Sequence, residues 1–207
     1  MNKGNKNSFD RLPLNVHRFL SGVPLHSLDF IELKGGRKGI TMDEIYRITQ
    51  LNRAEEIEFG FVTTSLFWLR GLIGKVLRWD DVPELINANS WLSRLTADER
   101  EKSTIPSGKV ESINTILYCY QNEILFEIIN RTVHCFWVLA SEEKPTGYDL
   151  YIAVYVRKLN WRTPIYMTLV SPVLKWIIYP AIKKSIARNW EKSFSTKKKL
   201  SKMPVKI

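Results

Sequence analysis

Between Ile113 and Lys158 the chain changes its hydrophobic period, and this stretch limits the possible folds more than any other. Ile113–Tyr120, Glu123–Arg131, Val133–Ala140 and Tyr148–Lys158 are rich in β-branched and aromatic residues, which suit a pleated surface. They are joined by Gln121-Asn122, by the vicinity of Thr132 and by Lys144-Pro145-Thr146-Gly147. Connections this short leave no room for the crossover of a parallel pair, so neighbouring strands are expected to run antiparallel. Ile165–Val170 reads as one more strand. Ser171 then reads as an N-cap and Pro172 as the first helical residue, because proline lacks the N–H that would go unpaired there. Leu174, Ile177, Ala181 and Ile186, with Ile178 and Ile182 beside them, give a long final helix its buried stripe. Pro180 is expected to kink that helix at Trp176–Tyr179.

Ahead of the sheet the signals are sparser. Residues 1–11, rich in Asn and Lys, read as a disordered lead. Leu28–Leu33 is the best strand of the N-terminal part, followed by the turn Gly35-Gly36-Arg37-Lys38-Gly39. Thr41-x-x-Glu44 has capping-box spacing and opens a short helix over Met42–Leu51. Val62, Leu66, Leu69, Ile73 and Val76 fall on one stripe and mark a second helix. Residues 84–110 read as a linker whose best helix start is Thr96-Ala97-Asp98-Glu99. The expected organisation is a lead over 1–11, one α+β domain over 12–194, and a flexible basic tail over 195–207.

A chain of 207 residues has enough length for one sizeable core. Cys119 and Cys135 both sit in apolar runs, so reduced, buried thiols are expected. Met1–Ser8 is polar and basic with no apolar core behind it, so no signal peptide is expected and the cytoplasm is the expected location. Nine of the 31 Lys/Arg and one of the 21 Asp/Glu lie between Lys183 and Ile207, so that end carries +8 of the net +10. The rest of the chain is nearly neutral. Nucleic acid is therefore not an expected partner, since such folds spread a basic face through the domain.

The order strand, two helices, antiparallel run, long final helix resembles the helix-grip fold of the START/SRPBCC superfamily. There a curved antiparallel sheet wraps around the C-terminal helix and encloses a cavity. More narrowly, Leu66-Phe67-Trp68-Leu69-Arg70, Asn130-Arg131-Thr132-Val133-His134 and Tyr166-Met167-Thr168-Leu169-Val170-Ser171-Pro172 resemble an uncharacterised bacterial domain-of-unknown-function family placed in that superfamily. The resemblance covers about residues 28–192. It implies binding of lipids, isoprenoids, polyketides or hormones, with enzymes a minority, and it does so by fold analogy. The basic tail after Phe194 is not part of the pattern.

The candidate chemistry is modest. His134 is the one histidine in the strand-like runs, on the face of Phe136 and Val138 and away from Cys135. It reads as a cavity donor or proton shuttle, or else as a core histidine bonded to a neighbour. Glu123, Glu127 and Arg131 share a face with Leu125 and Ile129. That face is either solvated or covered by helices, and in the second case Glu127 becomes a buried acid. Tyr151 and Tyr155 line either a pocket or a half-exposed face. The expected ligand site combines Glu127, Arg131, His134, Tyr151 and Tyr155 with Ile177 and Ala181 of the helix. Glu127, His134 and Tyr155 are the acid–base candidates if two of them converge in one pocket.

His17 and His26 form no metal spacing, and no metal or cofactor is expected. Gly35–Gly39 lacks the Walker pattern and reads as a basic turn, while Gly74-Lys75 is followed by Val76. Asn130-Arg131-Thr132 is an incidental glycosylation triplet. Ile165–Ile182 is long and apolar, but Ser171, Pro172, Lys175 and Pro180 interrupt it, so a spanning helix is not expected. A helix lying on a membrane fits better, with Trp176, Tyr179 and Trp190 as interfacial types. Lys183, Lys184, Lys197, Lys198 and Lys199 would meet anionic lipid. The leading expectation is non-catalytic binding of an apolar or amphipathic small molecule between sheet and final helix. The alternatives are a cyclase, hydratase or isomerase on the same scaffold, and a peripheral membrane protein working through its basic end. The oligomeric state stays open.

Overall fold

The computed structural model describes residues 3–49, 89–111, 114–129 and 133–200. Six strands form one antiparallel sheet: β1 (Leu25–Lys34), β2 (Val110–Glu111), β3 (Asn114–Cys119), β4 (Glu123–Ile129), β5 (Val133–Lys144) and β6 (Gly147–Lys158). Their order is β1-β6-β5-β4-β3-β2, so every short connection joins neighbours and β1 returns to close against β6. The β5–β6 hairpin turns over two residues, with Lys144 opposite Gly147. Only glycine fits at 147, because a Cβ there would lie 2.0 Å from the Leu33 carbonyl oxygen of β1.

Both faces of the sheet are covered. Alternation sends Ile116, Ile124, Phe126, Leu139, Leu150 and Ile152 to an inner face. There they meet α3 (Met42–Ile48) through Met42, Ile45 and Tyr46, and the end of the chain through Ile186 and Trp190. The capping box of α3 forms as its spacing predicts, with Thr41 N–H donating to Glu44 Oε2 at 3.1 Å. The opposite residues, among them Leu125, Phe136, Val138, Tyr151, Ala153 and Tyr155, make an outer face. It is covered by Phe9 of α1 (Lys3–Arg11), by Val16 of α2 (Asn15–Phe19), and by Trp91 and Leu95. Trp91–Arg94 is a 3₁₀ turn, and α4 (Ala97–Glu101) follows with the Thr96/Glu99 capping box.

Three local expectations change. The supposed lead contains α1, whose Phe9 is 0% exposed. Its polar sequence carries little helical pattern, and burial of one aromatic ring holds it. Ile165–Val170 is helix, not strand. α5 (Arg162–Val173) opens ten residues before Pro172, with Pro164 in its first turn and the Thr163 hydroxyl accepting from Leu159 N–H and Asn160 N–H at 3.2 and 3.4 Å. Proline in a first turn loses no bond, so Pro164 is the start signal and Pro172 sits inside the helix. The missing N–H groups of Pro172 and Pro180 flank a π-helical turn, Leu174–Ile178, which absorbs the mismatch before α6 (Tyr179–Leu200). The expected break at Trp176–Tyr179 thus takes the form of a widened turn. The helix continues to Leu200, into the segment read as a flexible tail. The helix expected around Val62–Val76 lies outside the described residues.

α6 is fastened to the sheet at its far half. Trp190 is 1% exposed, and its Nε1 donates to the Lys34 carbonyl at 3.0 Å. Asn189 Nδ2 donates to the Thr49 carbonyl at 2.9 Å, and Lys183 Nζ pairs with Asp29 at 2.8 Å.

Candidate functional site

The residues singled out in the strands do not share a site with those of the helix. Glu127, His134, Tyr151 and Tyr155 all lie on the outer face, while Ile177 and Ala181 belong to the helix that covers the inner one. Arg131 lies outside the described residues. Alternation within each strand left open whether Glu127 and His134 share a face; they do, and the segments laid over that face bury both.

On the outer face, β4 uses its two glutamates to hold the covering segments. Leu14 precedes α2 and has no polar side chain to cap it. Glu123 supplies the cap from 108 residues away, accepting from Asn15 N–H at 2.7 Å and Val16 N–H at 3.1 Å. Burial nevertheless raises its pKa above 4.5, against those hydrogen bonds. One turn of the pleat further on, Glu127 accepts from Trp91 N–H and His134 Nε2–H, both at 2.8 Å, and from the Ser90 hydroxyl. Trp91 lies over this pair, 4.7 Å from the Phe136 ring and 5.7 Å from His134. Both Glu127 oxygens are engaged, and Glu127 and His134 are 2% and 0% exposed. Tyr155 bonds to neither. Its hydroxyl pKa is pushed up to about 12, chiefly by burial. Two candidates therefore converge, but as a clamp on the 90–95 segment with no access for a substrate.

The inner face is uneven. Toward Trp190 it is tightly filled. Toward α5 the packing thins to Val133, Val154 and Val156, with Cys135, Trp137, Tyr166, Met167 and Tyr179 only partly covered around them. Cys135 keeps partial solvent access although the protein around it desolvates the thiol enough to push its pKa up to about 12. Cys135 thus lies at a thinly covered part of the inner face. Cys119, by contrast, is sealed at 0% exposure. Burial likewise pushes the Tyr166 and Tyr179 hydroxyls up to about 12. The rim is polar: Ser27 Oγ donates to the Tyr179 hydroxyl at 3.2 Å, and His26 Nε2 meets Ser171 Oγ at 3.1 Å. Burial lowers the His26 pKa. Ile177 and Ala181 are half-buried on the same helix. Sequence reasoning missed Tyr166 and Met167 because it put them on a strand. Apolar residues at 165, 166, 169, 170, 173, 174 and 177 carried the helical period that would have found them.

Two shallow clefts elsewhere do not serve as alternatives. One of about 280 Å³ is lined by Asp43, Tyr46, Arg47, Lys109 and Glu111 among others, whose charges already pair with one another. The other, about 150 Å³, lies between the Gly35–Lys38 turn and the β5–β6 hairpin. There Gly39 N–H donates to Glu143 at 2.9 Å, so a turn amide faces a carboxylate and not a phosphate. Neither cleft is lined by α5 or α6. Among the described residues no three His, Cys, Asp or Glu side chains group as a metal site.

A family model described as "Protein of unknown function (DUF2867)" matches residues 25–181. The chain belongs to this family. The DUF2867 match starts at β1 and takes in the sheet and α5, so it contains the thinly packed end of the inner face. α1, α2 and Trp190 fall outside it. No curated protein and no solved structure shows significant similarity to the chain.

Proposed function

We propose that the protein binds an apolar or amphipathic small molecule, without catalysis, in a crevice between the thinly packed end of the inner sheet face and the α5–α6 helix. The observation that carries this reading is the partly open wall of Cys135, Trp137, Tyr166, Met167 and Tyr179, apolar within and edged by the Tyr179–Ser27 and His26–Ser171 hydrogen bonds. An aliphatic or ring body suits the wall and a polar end suits the rim. The closure of β1 on β6 and the long final helix across the sheet support placing the fold among helix-grip proteins of the START/SRPBCC type. Two free thiols are in keeping with a cytoplasmic, reducing setting. The test is titration of delipidated protein with a fluorescent fatty acid. Saturable uptake is expected, reduced at least about tenfold by Cys135→Trp, which fills the crevice, and unchanged by Tyr151→Phe on the outer face. Equal uptake by the wild type and Cys135→Trp would remove the reading.

A further inference from the structure

The first half of the final helix carries an apolar stripe that faces away from the protein. Trp161, Ile165 and Leu169 step by four and Trp176 lies seven further on, which keeps all four on one side of a helix. They are 72%, 53%, 59% and 73% exposed. The helix Thr163–Phe194 is long and apolar enough to cross a membrane by length and composition alone, its most apolar 18 residues having a mean hydropathy of 1.4. Spanning would pull Tyr166, Met167 and Tyr179 away from Val133, Val154 and Val156 of the sheet, against which they pack. A helix fixed along one side and apolar along the other is suited to lying in an interface.

Charge identifies which interface. From Leu150 to Trp190 the sequence has no Asp or Glu, while Arg157, Lys158, Arg162, Lys175, Lys183, Lys184 and Arg188 are basic. Lys158, Lys175, Lys184 and Arg188 are exposed, bracketing and interrupting the stripe. Lys183 is committed to Asp29. A protein partner with an apolar groove would seat such a stripe but would leave the one-signed flanks unanswered. Tryptophan at both ends of the stripe, with lysines beside it, matches the headgroup zone of a bilayer.

We propose that this face of α5 docks on an anionic lipid surface, with Trp161, Ile165, Leu169 and Trp176 entering the headgroup boundary. The docking face is thus the front half of the helix, and Trp190, buried in the core, takes no part. Docking does not depend on the crevice holding a ligand. The experiment is flotation of the full-length protein with vesicles of 70% phosphatidylcholine and 30% phosphatidylglycerol, beside pure phosphatidylcholine, at low and high salt. Binding is expected on the anionic vesicles alone, weakening with salt by several-fold for each exposed base involved. Leu169→Glu and Trp176→Glu should each weaken it at least about tenfold. Both positions are exposed, so an unchanged thermal midpoint shows that the fold survives. Retention of full binding by both variants, with loss on Lys197→Gln/Lys198→Gln/Lys199→Gln instead, would overturn the assignment. So would a lipid-free dimer that dissociates in the Leu169→Glu variant, or protein that resists high-salt and alkaline extraction as a spanning helix does.

Discussion

Glu127 is the residue on which the two readings of this protein part. A carboxylate hydrogen-bonded to a histidine looks like an acid–base pair until its remaining partners are counted. Trp91 N–H, the Ser90 hydroxyl and His134 Nε2–H together use both oxygens, while His134 Nδ1 has no hydrogen-bond partner among the described residues. The carboxylate is the hub and the histidine a spoke. Glu127→Ala strands a backbone N–H and an imidazole in the interior and is expected to cost about 3 kcal/mol or more in urea unfolding. His134→Phe keeps the other two bonds and removes an unsatisfied nitrogen, so it should cost less than half as much. Equal losses would show the histidine to be an equal partner.

Glu123 adds a pH dependence. Its folded pKa is raised above 4.5, mainly by burial, so the native state holds its proton to higher pH than the unfolded chain does. Stability from this group is greatest at low pH and falls as pH rises through 4.5 toward the folded value. Glu123→Gln cannot titrate. The difference in unfolding free energy between variant and wild type should therefore shift in the variant's favour from pH 4 to pH 7. A constant difference across that range would contradict the raised pKa.

At the scale of elements, the final helix behaves as two halves. α6 is locked by the Trp190 ring and its bond to Lys34, and Gly36 leaves room for that ring, since a Cβ there would come within 2.8 Å of it. Trp190→Ala is expected to destabilise by about 4 kcal/mol. Hydrogen exchange should show amides near Ile186–Trp190 opening only with global unfolding, and those of α5 opening earlier. Uniform protection along the helix would contradict the division. The sequence made the strands legible because β-branched residues, alternation and a two-residue turn agree with one another in 114–158. The helix start was misplaced because two prolines offered the same signal. Pro164 fits a first turn, whereas Pro172 sits inside the helix just ahead of a π turn. α1 was not legible, since what holds it is Phe9 buried against Tyr151, their rings 5.7 Å apart, a contact between distant parts of the chain.

For the molecule as a whole, the sheet is sealed on one side and open at one end of the other. Alternation told which residues share a face, but covering is decided by what the rest of the chain lays over that face. The candidate site is therefore the thin end of the inner face, where Cys135 is partly accessible, and not the glutamate–histidine face. Native mass spectrometry of gently purified protein tests this placement most directly. The expected result is a wild-type mass carrying an apolar adduct that organic extraction removes and that Cys135→Trp never acquires. Adduct-free wild-type protein that also takes up no fatty acid after delipidation would contradict the account.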